Sequence, residues 1–401
     1  MAEHVELPAR DVATASADPF DAGPFAWTHD PLPLSPDWHC QPWRRALSTV
    51  LISWAPLVVL SAVEGLALGR TTHEPMLRDL AAYGRYVVAA PVFACAGCVI
   101  LPRLALVVRG FIDAELIAVV DRPRYDHLVA STRRLLVSRW THIGVVLVAY
   151  TLTGALGPRL YPGELSTWVR PIAADGTASL SLAGWWRLLI SQPLFLALQA
   201  VWVWRLLVWI RFLFSVARMK LRLVAAHPDS LGGLRFALAP IRSFAILAFG
   251  VGSFAAGSVA DSVLIDGQPF ASFRYVIAAQ TIGVVAFLAG PALLLMTPLI
   301  QLQEWGTRHY GRLASDMGHE FERRWLRERR RAHEEALGAP DFSAAADLYG
   351  VVANVRAINP FVLEWRQVIV LAVATLLPYV PLVFAMLPVD AIVEMALKAI
   401  A

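Results

Sequence analysis

Seven apolar stretches punctuate the chain, at 46–68, 85–108, 140–157, 187–213, 243–263, 275–302 and 367–388. Each is close to the roughly 20 residues that an α-helix needs to span ~30 Å of hydrocarbon. Composition points the same way, with 57% hydrophobic and only 16% charged residues and a mean hydropathy of +0.55. Soluble domains carry about 25% charged residues, and 401 residues this poor in charge could not cover a water-facing surface. In lipid the deficit disappears, because the solvent is itself apolar. The expected fold is therefore all-α: a polytopic transmembrane helix bundle of about seven spans.

Charge decides orientation. With the N-terminus inside, the cytoplasmic segments hold 23 Lys and Arg and the outer segments 8, an asymmetry that sets N-in and, with seven spans, C-out. Residues 1–43 carry seven acidic and one basic side chain and seven prolines. They read as a disordered acidic tail, unable to bury enough apolar surface to offset ordering. No basic-then-apolar leader opens the chain, so the first span is expected to direct insertion and remain. Residues 44–302 form the bundle of six spans with helix extensions. In 303–366, Trp305, Leu313, Met317, Phe321 and Trp325 recur at helical spacing and continue the sixth helix as an amphipathic rod. Gly338-Ala339-Pro340 stops it, and Asp341 caps a second helix with Phe342, Ala345, Tyr349, Val352 and Val355 on one face, closing a helical hairpin. Residues 367–401 hold the final span and a short outer interfacial helix after Asp390. Trp186 to Val216 reads as one helix about 46 Å long, whose Arg187 and Arg205 reach opposite interfaces by snorkelling.

Several polar groups invite a functional reading. Glu64, Asp261, Gln280 and Gln192 fall at similar outer depth, either as an outward vestibule for a cation or small ligand or as hydrated helix ends; a charge deeper in lipid would cost about 2.5–3.5 kcal/mol on insertion scales. Ser253 and Gly257 lie in a run of small residues that either lets helices approach closely or lines a pore. Pro378 and Pro381 kink the final span, as a plain bend or as a hinge. Cys95 and Cys98 match C-x-x-C but sit mid-helix among small residues, which favours packing over redox chemistry. Arginines 323–331 either meet anionic lipid or an acidic partner, or pair with the glutamates between them.

The most distinctive string is His227-Pro228-Asp229-Ser230-Leu231-Gly232-Gly233-Leu234. One His and one Asp fall short of a metal set. As punctuation, Pro228 ends the fourth helix, Asp229 or Ser230 caps the next, and Gly232 and Gly233 permit close packing. The string resembles one carried by uncharacterised bacterial multi-pass membrane proteins, a likeness that implies no activity. The overall plan is similar to that of insect chemoreceptor channels, which run N-in/C-out with seven helices and a cytoplasmic helical anchor. Their Thr-Tyr and Gln-Phe pattern is missing here: Thr375 and Tyr379 are not adjacent and no Gln-Phe follows. Pore residues therefore do not transfer.

No metalloprotease, nucleophile-elbow, phosphate-loop or dinucleotide pattern is present. The expectation is a non-enzymatic oligomeric ion channel or ligand-responsive pore of a bacterial inner membrane. The other readings are a membrane scaffold or sensor subunit with a cytoplasmic protein partner, and, after it, a secondary transporter. Lipid and further copies of the chain are the expected partners; cofactors and nucleic acid are not.

Overall fold

The computed structural model describes residues 42–68, 75–156, 167–171, 179–327 and 340–386. The acidic tail, the Gly338-Ala339 stop and the outer helix after Asp390 lie outside them. Six helices are long and apolar enough to cross a membrane: α1 (Pro42–Val63), α2 (Leu80–Asp113), α5 (Leu182–Ala217), α6 (Arg235–Leu264), α7 (Phe270–Leu326) and α9 (Trp365–Met386). Between α2 and α5 lie α3 (Val119–Val137) and α4 (Arg139–Ala155), bent by 45° at Ser138. A further helix, α8 (Pro340–Arg356), follows α7. The chain is an all-α, multi-pass membrane bundle.

By length and composition the bent pair α3–α4 is a candidate for a seventh span, and contacts between loops trace its route. At one face the Arg222 amide donates to the Leu116 carbonyl, the Asn359 amide to Ser230, and the Gln303 amide group to Ile358. The segments after α2, after α5, within α7 and before α9 therefore meet on one side, the arginine-rich one. At the other face the Trp168 indole donates to Asp79, and Glu64 accepts from the Leu182 amide. The chain leaves Leu116 on the first side and reaches Trp168 on the second. Only α4 is apolar along this route. Its 17 residues (Arg139–Ala155) rise about 25 Å. The basic α3 packs outside through Tyr125, Leu128, Thr132 and Leu136, spaced three or four apart.

Small residues set the packing of the middle. A Cβ on Gly252 of α6 would collide with the Thr375 carbonyl of α9, and one on Gly257 would lie 2.7 Å from the Leu80 carbonyl of α2. Gly84 of α2 approaches the Ser253 carbonyl equally closely. Lipid offers no hydrophobic drive for helices to associate, so close backbone approach supplies dispersion contacts instead. Toward the arginine-rich side the core turns aromatic, with Phe111, Tyr125, Phe212 and Phe236 meeting edge to face or tilted.

Three expectations shift. The fourth-span helix ends at Ala217, one residue past the expected Val216 but eleven before Pro228, because the chain peels away there to form an antiparallel bridge between Leu221 and Ile117. Helix α5 starts four residues earlier than Trp186, capped by Ser181, whose hydroxyl accepts from the Gly184 amide; its 36 residues run about 54 Å. Arg205 is enclosed by the helices rather than extended along the surface: it is 7% exposed. The rod is present, α7 being one 57-residue helix with a 3₁₀ stretch at Gly290–Leu295. It packs against α8 through Gly306, with Val355 and Val352 buried and Tyr349 left exposed.

Candidate functional site

Asp229 organises the loop that follows α5. Ser230, Gly232 and Gly233 adopt positive φ of 57°, 64° and 97°, a conformation that turns successive amides inward and that glycine enters without strain. The Asp229 carboxylate accepts from the amides of Leu231 (2.8 Å), Gly233 (3.1 Å) and Arg235 (3.2 Å), and His227 Nδ1 lies 2.7 Å from it. Burial pushes this carboxyl up, but the Leu231, Gly233, His227 and Arg235 donors outweigh burial and hold it below the usual carboxylate range. All four residues of the candidate motif are thus brought together, with the carboxylate filled by the protein's own donors. Asp229 closes the turn and also takes the first amide of the next helix, Arg235, although the N-cap position itself is Leu234. The loop is also a junction: a Cβ on Gly232 would lie 2.6 Å from Leu302 of α7, Gly233 packs on Leu116, and Arg235 pairs with Glu364 just before α9 at 2.8 Å. No local pattern signals this convergence.

At the opposite face the acidic groups hold helix starts. Asp261, near the end of α6, accepts from the amides of Leu80 (2.8 Å) and Ala81 (2.9 Å) at the start of α2. Asp79 accepts from Ala82 at 2.6 Å and from the Trp168 indole at 2.9 Å, and adjoins Asp261. Glu64, at the end of α1, takes the Leu182 amide at the start of α5. The first amides of a helix lack intrahelical acceptors and carry partial positive charge, so a carboxylate reaching across from another element satisfies both. Asp79 directly before the apolar run of α2 is a helix-start signal that sequence reasoning passed over. Trp168 offered none.

Gln280 and Gln192 lie deeper and serve as interhelical ties. Gln280 of α7 donates to the Val251 carbonyl of α6 (3.2 Å) and accepts from the Tyr379 hydroxyl of α9 (2.8 Å). Gln192 of α5 accepts from Tyr86 of α2 at 2.8 Å. Each of Glu64, Asp261, Gln280 and Gln192 thus has its own partners, and the structure does not gather the four around one cavity. Among the described residues, two of the cavities lie elsewhere. One of 660 Å³ lies between α4 and α5 and includes Trp140, Gly144, Gln199 and Trp204; one of 560 Å³ lies between α7 and α8 and includes His319, Glu322, Tyr349 and Arg356.

Ser253 is buried, its hydroxyl returned to the Phe249 carbonyl at 2.8 Å, and Gly257 faces α2. Both belong to helix packing in this chain. Pro378 stands in a 3₁₀ turn, Leu377–Tyr379, that divides α9, and Pro381 is the second residue of the helical segment beyond it, Val380–Met386. Cys95 donates to the Pro42 carbonyl and Cys98 accepts from Arg45 at 3.6 Å; among the described residues neither forms a disulfide. Among the described residues no three His, Cys, Asp or Glu side chains converge to hold a metal.

Compared with protein-family models, curated proteins and solved structures, the chain matches none.

Proposed function

We propose that the protein is a ligand-responsive pore of a bacterial inner membrane, assembled from several copies with the N-terminus and the arginine-rich side in the cytoplasm. The observation that carries this reading is the build of α9. Its buried residues Gln367, Leu371, Thr375, Tyr379 and Leu382 form one stripe against α6 and α7, while Ile369, Val373, Val380 and Phe384 stay exposed. A 3₁₀ turn with Pro378 breaks it in mid-span, and beside the break the Tyr379 hydroxyl donates to Gln280 of α7. A span that is packed on one side and broken in the middle suits a helix whose outer half moves along an axis between copies. The rod and α8 supply contact surface for those copies. Trp305 and Leu313 are 51% and 54% exposed on a helix too long for the bilayer to cover, and exposed apolar groups in water mark interaction surfaces.

Reconstitution into liposomes tests the reading. Ion flux is expected, altered in rate or gating by Tyr379→Phe, from a particle with rotational symmetry and α9 nearest its axis. Silent liposomes together with a soluble protein bound to the α7–α8 cleft would favour the scaffold or sensor reading instead, which the 560 Å³ cavity there supports.

A further inference from the structure

We infer that Arg205 and Arg45 form a binding site for a phosphate-type oxyanion at the arginine-rich face of the bundle. The inference goes beyond the pore reading and does not depend on it. Arg205 belongs to α5 and is 7% exposed. Among the described residues its Nε is buried without a hydrogen-bond partner and no salt bridge neutralises it; the face of the guanidinium lies 5.1 Å from the Trp202 ring. A guanidinium has five donors, and a buried charge left uncompensated costs several kcal/mol.

A second guanidinium is brought to the same place. Arg45 Nη1 donates to Cys98 Sγ at 3.6 Å, and a Cβ on the adjacent Gly97 would lie 3.8 Å from Arg205 Nη1. Both arginines therefore converge on the Gly97–Cys98 turn of α2, where their like charges repel. Gly97 leaves this turn without a side chain. Arg45 is the fourth residue of α1, so the cluster lies where the first span enters the membrane, at the level of lipid head groups. The other half of α5 agrees: from Arg205 to Ala217 it continues about 18 Å beyond that level.

Two close guanidiniums, one dry and without a counter-charge among the described residues, select a ligand with concentrated negative charge and several acceptor oxygens. The planar fork of arginine matches phosphate two bonds at a time. Such a group can come from the phosphodiester of an anionic phospholipid or from free phosphate, and the two are separable.

Thermal unfolding of the delipidated protein in detergent tests the site. One series adds inorganic phosphate against chloride at equal ionic strength, and another adds phosphatidylglycerol against phosphatidylcholine. A rise in midpoint of about 2 °C or more with either phosphate source is expected for the native chain. Arg205→Met should abolish that rise while itself unfolding no earlier than the ligand-free native chain, since it removes the uncompensated charge. A response to phosphatidylglycerol alone identifies a lipid head group, and a response to inorganic phosphate identifies a soluble anion; either supports the site. No rise from either source, or an equal rise in Arg205→Met, overturns it. Should Arg205→Met fail to fold, Arg45→Gln at the half-exposed edge takes its place, with loss of most of the rise expected and an undiminished rise again overturning the site.

Discussion

At the scale of single residues, carboxylates in this chain serve as acceptors for backbone amides. Asp229 does so for the loop after α5, Asp261 and Asp79 for the start of α2, and Glu64 for the start of α5. Removing such an acceptor strands buried donors, at about 1–3 kcal/mol. Asp229→Ala is accordingly expected to lower stability by about that amount at neutral pH, read as an earlier thermal unfolding midpoint, with Asp229→Asn losing less because one oxygen remains. The sign with pH follows from the depressed carboxyl. A group whose folded value lies below its unfolded value, about 3.9 for aspartate, contributes fully above that value. Its contribution is lost as pH falls through the folded one. The gap between native protein and Asp229→Asn should therefore be constant from pH 7 to 5 and close below about pH 4; a gap that widens on acidification would refute the assignment.

At the scale of elements, the spans were legible because hydropathy is local: twenty apolar residues in a row need no distant partner to declare themselves. The rod of α7 was legible for the same reason, through its helical spacing of Trp305, Leu313 and Met317. What could not be read is pairing. Asp261 meets Leu80 across 181 positions and Tyr86 meets Gln192 across 106, and no pattern along the chain encodes either. The expectation that Pro228 ends the fourth-span helix failed for this reason, since the earlier end at Ala217 is set by Leu221 pairing with Ile117. Small residues show the same division. Their presence in α6 was plain, yet which helix each admits is a tertiary fact. Gly252→Ala drives a methyl into the α9 backbone, whereas Gly283→Ala meets nothing within 4 Å. The first should cost about 1–3 kcal/mol by overpacking, and the second should be neutral or stabilise by up to about 1 kcal/mol through helix propensity. Thermal unfolding of the pair checks this, and equal midpoints would contradict the α6–α9 contact.

At the scale of the whole molecule, two sets of connections face each other across the bundle. One gathers Leu116, Arg222, Ser230, Gln303 and Asn359, and the other gathers Glu64, Asp79, Trp168, Leu182 and Asp261. Counting the α3–α4 pair as a span makes the crossings odd, and the division puts the α7–α8 arms on the side that carries the excess of arginine. The pore reading and the oxyanion site both take that side as their frame of reference. Single cysteines, introduced after replacing Cys40, Cys95 and Cys98, measure it directly with a membrane-impermeant thiol reagent on intact cells. Gln268→Cys, in the turn between α6 and α7, is expected to label from outside, and Leu313→Cys, on the rod, to label only after the membrane is opened. Labelling of both from the same side would contradict the layout.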